Sequence, residues 1–567
     1  MTASPATDWS VAFLGQLVAK GISHVVVSPG ARSQALALAA LAWERISQGA
    51  LTVHVVIDER SAAFRALGLA LESRRPAVCI ATSGSAPAHY FPAVLEALHA
   101  GVPLIVVAAD RPEELYGVGA NQTTNQHELF GSRVPSWSVP APEGSDAEDA
   151  QRIATEVAAT AYRGGPTYVN VSFREPLSAA IQEGSLVMPE IVPPEILPPD
   201  IAESTDDTAV ARVLSLEPEA GTLVIAGHGA GPRAEALALE LGAPLIAEVV
   251  SGARRGPHVV PAYRQVLRDE SLTGGVGRIV TVGRPTLSRE VSSLLGRTEI
   301  TQIVVQGREL EAANPSRMAQ VVDEVVVTRP ATPEESALWV KPWVMAGRRH
   351  QEAQLAEITP PAPDIEALTS NEPATRSAFA RQEMNVLRQP VGRESLALAV
   401  WEATWPHDRL VFGASRMVRV ADSIVPGKNI PVFANRGLSG IDGTISTARG
   451  IAQAASATGV TRVLLGDLAL LHDVGSLMVE PGVGDSSRVH VIVANDGGGT
   501  IFDELEVSQV ASQADRDRVL LTPHEVSLEA LAGAYGWTYR RVNHLGDLAE
   551  ALSASDARLI VDVAIAR

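Results

Sequence analysis

The sequence predicts an α/β protein of parallel sheets flanked by helices, and three observations lead there. Short apolar runs of strand length alternate along the chain with Ala- and Leu-rich segments of helical length, as β–α–β units require. Two proline-rich stretches interrupt that alternation and divide it into three blocks. The chain, at 567 residues, is also too long for one core, because single cores stop growing at roughly 250–300 residues.

The first block occupies residues 1–187. Its strands are expected over 24–28, 52–57, 77–81, 103–108 and 167–171, with helices over 61–72 and 87–100. A proline-rich linker, from Met188-Pro189 to Pro198-Pro199, follows. The middle block spans 200–345, with strands over 222–226, 244–247, 278–282, 302–305 and 324–327. A second loose region runs from Thr359-Pro360-Pro361 to about residue 385. The third block, 385–567, places strands over 409–413, 431–434, 461–465, 489–494 and 558–563. The first and third blocks have the same general pattern, but their sequences do not establish a structural kinship.

Composition narrows the function. Hydrophobic residues at 46% and charged residues at 20% describe an ordinary globular chain. A net charge of −19 speaks against a nucleic-acid partner, which needs a basic face, but leaves room for anionic small molecules held by local arginines. Cys79 is the only cysteine, so no intrachain disulfide can form, and its place in Ala77-Val78-Cys79-Ile80-Ala81 reads as an inert thiol in a buried strand. The opening Met1-Thr2-Ala3-Ser4-Pro5 has neither a basic nor an apolar signal segment, and no apolar run reaches membrane-spanning length. A cytoplasmic location is expected.

Candidate chemistry lies where strands end. Val463-Leu464-Leu465 ends in Gly466-Asp467, and Val491-Ile492-Val493-Ala494 ends in Asn495-Asp496 before Gly497-Gly498-Gly499-Thr500-Ile501-Phe502. Ligands in open α/β sheets bind beyond such carboxyl ends. Carboxylates suit Mg²⁺, and glycines let the backbone approach a diphosphate closely. Either half alone also fits a turn whose Asp or Asn satisfies local backbone groups. In the first block, Val55-Val56-Ile57-Asp58-Glu59-Arg60 places Glu59 at a strand end, where a solvated carboxylate is the plain alternative. Thr82-Ser83-Gly84-Ser85 offers hydroxyls and N–H groups to a polar ring or to a helix cap.

Arginines recur at further strand ends: Arg32, Arg111, Arg284 with Arg289, Arg416 with Arg419, and Arg436. Guanidinium groups clamp carboxylates, so the set points to substrates with several of them, although any single arginine could equally serve a surface ion pair. No Gly-x-Ser-x-Gly elbow, Walker lysine loop or clean Gly-x-Gly-x-x-Gly occurs. His127 reads as a surface or helix-cap histidine.

Taken together, these motifs resemble the thiamine-diphosphate-dependent enzymes of the pyruvate-oxidase type, and within them the carboligases of menaquinone biosynthesis. The resemblance rests on Ser28-Pro29-Gly30-Ala31-Arg32-Ser33, Asp58-Glu59-Arg60-Ser61-Ala62, Ala109-Asp110-Arg111-Pro112, Gly119-Ala120-Asn121-Gln122, Phe173-Arg174-Glu175-Pro176-Leu177, Asn435-Arg436-Gly437 through Gly440-Ile441-Asp442-Gly443, and Gly466-Asp467-Leu468. It implies a three-domain fold: pyrimidine-binding (1–187), central (200–345) and diphosphate- and Mg²⁺-binding (385–567). It also implies 2-oxoglutarate and isochorismate as substrates, thiamine diphosphate with Mg²⁺ (or Mn²⁺) as cofactors, and a homodimer or homotetramer.

Carried over by residue, the resemblance implies that Glu59 contacts the cofactor pyrimidine and that Ile441 wedges the cofactor into its bent form. Asp467, Asp496 and the Gly498 carbonyl would hold the metal. Ser83, Gly84, Gly466, Leu468, Gly499, Thr500 and Ile501 would line the cofactor. Arg32, Arg111, Gln122, Arg289, Ser415, Arg419, Arg436, Ile501 and Phe502 would face substrate. Three positions depart from the wider pattern: Leu468 replaces a glycine, Asp496 an asparagine, and Ala31 a common serine. Two rivals are another 2-oxo-acid ligase or decarboxylase, such as an acetohydroxyacid synthase, and a flavin- or nicotinamide-dependent oxidoreductase.

Overall fold

The computed structural model describes residues 4–144, 146–193, 212–360, 363–456, 458–480 and 487–566. Three all-parallel sheets organise them, so the α/β expectation is borne out. The first sheet contains β1 (His24–Val27), β2 (Thr52–Val55), β3 (Ala77–Ala81), β4 (Leu104–Asp110), β5 (Ser136–Val139) and β6 (Pro166–Ser172), in the order β2-β1-β3-β4-β6-β5. Its central strands are buried along their whole length, β3 and β4 without exception, because helices cover both faces.

The middle sheet has the order β12-β11-β10-β8-β9, built from β8 (Thr222–Ala226), β9 (Leu245–Ala247), β10 (Arg278–Val282), β11 (Thr301–Val305) and β12 (Gln320–Val322). Beside it β7 (Val213–Leu216) pairs with β13 (Glu324–Val327). The last sheet contains β14 (Arg409–Phe412), β15 (Val432–Ala434), β16 (Val460–Gly466), β17 (Arg488–Asn495), β18 (Thr538–Val542) and β19 (Arg558–Ala564), in the order β15-β14-β16-β17-β19-β18. Counted from its own first strand, that is the same permutation as the first sheet. The kinship that the sequence left open is therefore one of topology.

Helix Glu59–Ser73 of the first unit lies across helix Thr444–Ala454 of the last. The approach is so close that a Cβ on Gly68 would stand 2.0 Å from the Thr447 carbonyl oxygen. Arg65, only 1% exposed, ties the crossing by donating from Nη1 to Gln453 Oε1 at 3.0 Å and to Glu480 Oε1 at 2.8 Å. The caps at the two helix starts matter for the site. Asp58 Oδ1 accepts the Ser61 N–H (3.0 Å), and buried Asp473 Oδ2 accepts those of Ile445 (2.8 Å) and Ser446 (3.1 Å).

Several expectations need correction. Strands β5, β7, β12 and β18 were not anticipated. β5, β12 and β18 are edge strands and β7 belongs to a two-stranded ribbon, and all four keep exposed or half-exposed positions, so their polar residues dilute the apolar signal. The loose region near 359–385 instead contains helices Ile365–Thr369 and Pro373–Leu387. Their residues are all at least partly exposed, which left no apolar stripe to read. Helix Pro333–Ile358 runs past residue 345, carried by a Thr332/Glu335 capping box. The segment 87–100 splits into a 3₁₀ turn, Pro87–Tyr90, and a helix, Phe91–Ala100. The linker expected over 188–199 lies outside the described residues from position 194 onward. Cys79 is fully buried, and burial pushes its thiol far up, as befits an inert core group.

Candidate active site

The shared permutation brings equivalent strand ends of the two outer sheets into use. In the first sheet the chain leaving β1 carries Arg32, that leaving β2 carries Glu59, that leaving β3 carries Ser83 and Gly84, and that leaving β4 carries Arg111. In the last sheet the corresponding exits from β14, β15, β16 and β17 carry Ser415 and Arg419, Arg436, Asp467, and Asp496 with its glycine loop. Helix N-termini and glycine turns gather at this end of such sheets, which is where polar ligands are held.

In the last sheet these exits enclose a cavity of 140 Å³. Asp467, Asp496, Gly466, Gly498 and Thr500 form its polar wall, and Ile441, Leu468, Ile501 and Phe502 its apolar one. Asp467 is 1% exposed, and burial lifts its carboxyl above the ordinary range, with Asp496 adding to the lift. Two nearby carboxylates with one raised in this way favour a cation between them. Gly498 has φ 146°, and a Cβ there would lie 2.4 Å from the Leu521 carbonyl oxygen, so only glycine fits this backbone.

Around this cavity stand Arg416, which the sequence places at a strand end, and two groups that sequence reasoning missed, Arg393 and His524. Arg393 Nη2 donates to Asp496 Oδ2 at 2.6 Å, and Arg416 Nη1 donates to the Thr500 carbonyl at 3.1 Å. His524 Nε2 lies 3.0 Å from Asp467 Oδ2. Arg393 opens a helix 103 residues before its partner, so no local spacing could have signalled it. Among the described residues, no three or more His, Cys, Asp or Glu side chains cluster as a metal site. The donors here are two carboxylates and a backbone carbonyl, hard oxygen ligands that suit Mg²⁺ once phosphate oxygens complete the shell. The residues therefore fit a metal–diphosphate group.

A second group forms on the first sheet. Arg111 Nη1 bonds the Ser83 hydroxyl, and Gln122 Nε2 donates to the Ser83 carbonyl at 2.9 Å. Beneath them buried Gln126, also missed, accepts the Gly84 N–H through Oε1 (2.7 Å) and donates to Asn170 Oδ1 (2.9 Å). Asn170 in turn donates to buried Asp110. This amide chain fixes the 83–84 turn. Arg32 Nη1 donates to the Phe173 carbonyl at 2.8 Å, and burial together with nearby Arg111 lowers its pKa. Glu59 is the first residue of helix Glu59–Ser73. Neither Glu59 nor any member of this group lines the cavity that holds Asp467.

Arg419 and Arg436 form a third group. Burial lowers the pKa of both; Arg419 lowers that of Arg436 further, and Arg264 that of Arg419. Desolvated guanidinium groups are receptive to an anion. Arg289 stands apart: its side chain is 78% exposed, and Nη1 lies 3.7 Å from Glu506 Oε1. Of the two arginines that follow β10, it is Arg284 that reaches the last unit, its Nη1 donating to the Gly437 carbonyl at 2.8 Å.

The family described as "Thiamine pyrophosphate enzyme, N-terminal TPP binding domain" matches residues 8–129, which include Glu59, Ser83 and Arg111. A 2-succinyl-5-enolpyruvyl-6-hydroxy-3-cyclohexene-1-carboxylate synthase of Leifsonia xyli is 48% identical over 98% of this chain and 95% of its own. The chain belongs to the 2-succinyl-5-enolpyruvyl-6-hydroxy-3-cyclohexene-1-carboxylate synthase family. A synthase of the same name from Clavibacter michiganensis is 47% identical over 100% of this chain and 97% of its own. One from Renibacterium salmoninarum is 38% identical over 95% and 90%. As a synthase-family member the chain is a thiamine-diphosphate-dependent enzyme of the transferase class, which removes the oxidoreductase reading. Among the described residues, no helix is long and apolar enough to cross a membrane.

Proposed function

We propose that the protein decarboxylates 2-oxoglutarate and adds the remaining four-carbon fragment to isochorismate, a step of menaquinone biosynthesis in the cytoplasm. The observation that carries this reading is the convergence of Asp467, Asp496 and the Gly498 loop on one cavity, with buried Arg436 and half-buried Arg419 on neighbouring strand ends. Bound thiamine diphosphate supplies the nucleophilic carbon and the electron sink that 2-oxo-acid decarboxylation needs. Asp467, Asp496 and the Gly498 carbonyl would hold Mg²⁺ beside the diphosphate, and Arg393 and Arg416 would offset negative charge there. Ile441 presses on the cofactor from the apolar wall. Ser415, Ile501 and Phe502 line the cavity on its substrate side and exclude water.

Glu59 would hydrogen-bond the pyrimidine ring of the cofactor and hold a proton there. Arg419 and Arg436 hold the donor carboxylate, while Arg32, Arg111 and Gln122 hold the acceptor. Arg289, exposed beside Glu506, reaches substrate only by turning inward. Within one chain Glu59 does not line the Asp467 cavity, and Val55 (42%) and Ile57 (61%) expose apolar surface beside it. Both features support a site completed by a second copy, in which the unit 1–187 of one subunit serves the cofactor held by the unit 385–567 of another. A dimer is then the smallest active form, and a tetramer pairs two dimers. The unit 200–345 contributes positioning.

The test supplies purified protein with thiamine diphosphate, Mg²⁺ and 2-oxoglutarate, with and without isochorismate, and follows CO₂ release and isochorismate loss. Isochorismate loss that needs both cofactor and 2-oxoglutarate supports the assignment. CO₂ release with isochorismate untouched would point to a different acceptor, and neither change would refute the donor as well.

A further inference from the structure

Arg436 is 2% exposed, and its five N–H donors are unevenly used. Nε donates to Thr286 Oγ1 at 3.0 Å, and Nη2 donates to the same oxygen at 2.7 Å and to the Thr286 carbonyl at 3.2 Å. Nη1 is buried and has no hydrogen-bond partner among the described residues. A desolvated donor left without an acceptor favours one brought from outside. A guanidinium pinned along one edge presents its remaining donors in a fixed direction, which is what recognition of a carboxylate rewards.

The pin belongs to the middle sheet. Thr286 lies just beyond β10, and its loop is itself fastened. Glu248, fully buried directly after β9, accepts the Thr286 N–H at 2.7 Å and the Leu287 N–H at 2.6 Å through the same oxygen, Oε1. Its Oε2 has no hydrogen-bond partner among the described residues. From the other side Arg284 Nη1 holds the Gly437 carbonyl. Glu96 of the first unit accepts the N–H groups of Gly437 (2.6 Å) and Leu438 (2.7 Å). The segment around Arg436 is thus gripped by both other units, and among the described residues the guanidinium's hydrogen bonds go to the middle one.

We infer that Thr286 and Glu248 are positioning residues that preset Arg436 for a substrate carboxylate. This rests on the reading of Arg436 as a substrate-binding residue. Thr286 acts directly, as the acceptor of the pinned edge. Glu248 acts one step further back, through hydrogen bonds that an uncharged side-chain oxygen could also accept. The middle sheet, which carries none of the proposed metal ligands, thereby sets substrate affinity.

The test is a cycle of variants in the full-length enzyme loaded with thiamine diphosphate and Mg²⁺, with KM measured for both substrates. Calorimetric binding of glutarate, a dicarboxylate that cannot decarboxylate, reads the same affinity without turnover. Thr286→Val keeps the shape and removes the hydroxyl. It is expected to raise KM for one substrate about tenfold while kcat changes less than about threefold, because it removes the oxygen that accepts from both Nε and Nη2 and leaves the carbonyl contact. Glu248→Ala is expected to act in the same direction, and Glu248→Gln, which keeps an acceptor oxygen, to restore KM. In an Arg436→Met background Thr286→Val should have no further effect, whereas a merely structural lesion would add to it. A Thr286→Val enzyme with the parent KM, or a rise that persists in the Arg436→Met background, overturns the inference. If Arg436→Met alone changes neither KM nor glutarate binding, the substrate reading of Arg436 fails and the inference falls with it. If Arg436→Met raises KM and Thr286→Val does not, only the inference falls.

Discussion

Replacing Gly68 by alanine probes the contact on which the relation between the first and last units depends. An ideal Cβ at Gly68 stands 2.0 Å from the Thr447 carbonyl oxygen, 2.8 Å from its carbonyl carbon and 3.0 Å from the Ile451 nitrogen, where ordinary contact begins at 3.4 Å. Every obstacle is backbone, so no side chain can swing aside. The reverse contact is as tight, since a Cβ on Gly450 would lie 2.2 Å from the Arg65 carbonyl oxygen. The helices must then separate by more than an ångström. Two effects oppose each other. Alanine favours the helix by about 1 kcal/mol over glycine. Overpacking a rigid crossing costs about 1–3 kcal/mol, and separation of the helices also loosens the Arg65 and Ser446 bonds that span it. The second effect should win by about 2 kcal/mol, lowering the melting temperature by roughly 4–8 °C for a cooperative unit of domain size. Because Glu59 opens one helix and Ile441-Asp442-Gly443 precedes the other, kcat should fall as well. Thermal melts by circular dichroism and steady-state kinetics measure both. A variant as stable and as fast as the parent would refute the argument that this close approach sets the site.

Glu59→Gln should leave the melting temperature within a degree or two and lower kcat by about two to four orders of magnitude, the usual range for a lost proton-transfer group. Near-normal turnover would remove Glu59 from the chemistry. Asp467→Asn should weaken Mg²⁺-dependent thiamine diphosphate binding at least about tenfold, since even outer partners of metal ligands matter that much. Equilibrium titration of the cofactor with unchanged affinity would contradict the metal assignment. His24 is held down from 6.5 to about 4 by burial, and His54 beside it lies well below its usual value for the same reason. Both favour the neutral form, so the unfolded chain takes up protons first. Stability should fall as pH drops from about 6.5 towards 4, and His24→Leu should flatten that slope in urea melts at successive pH values. An unchanged slope would show that the pair does not control acid stability.

Much of the site could be read along the chain because its parts are local signals. Gly466-Asp467 and Asn495-Asp496 each follow a fully apolar run, and a strand that ends in an acidic residue beside glycine is recognisable without its neighbours. The structure brings both to one cavity with Ser415, Ile441, Thr500, Ile501 and Phe502. Arg393, His524, Gln126 and Glu248 were not legible, because each acts on a residue 38 or more positions away and nothing in its own surroundings announces a partner. Arg289 and Arg284 show the reverse difficulty. Both follow the same strand, and only packing decides that Arg284 reaches Gly437 while Arg289 lies exposed beside Glu506.

The sequence by itself determined the α/β class, the buried central strands and the family. Burial on both faces leaves continuous apolar runs, and functional loops at strand ends keep short recognisable motifs. Only the tertiary structure decided the common strand order of the outer sheets, the edge strands β5, β12 and β18, and the helices in the segment between the middle and last sheets. Strand order is a matter of hydrogen bonds between runs far apart in sequence, and exposed edges and exposed helices carry no apolar period. It likewise decided that Arg436 is held by the middle sheet and that Glu59 stands outside the Asp467 cavity of its own chain, because both are relations between units that no local pattern encodes.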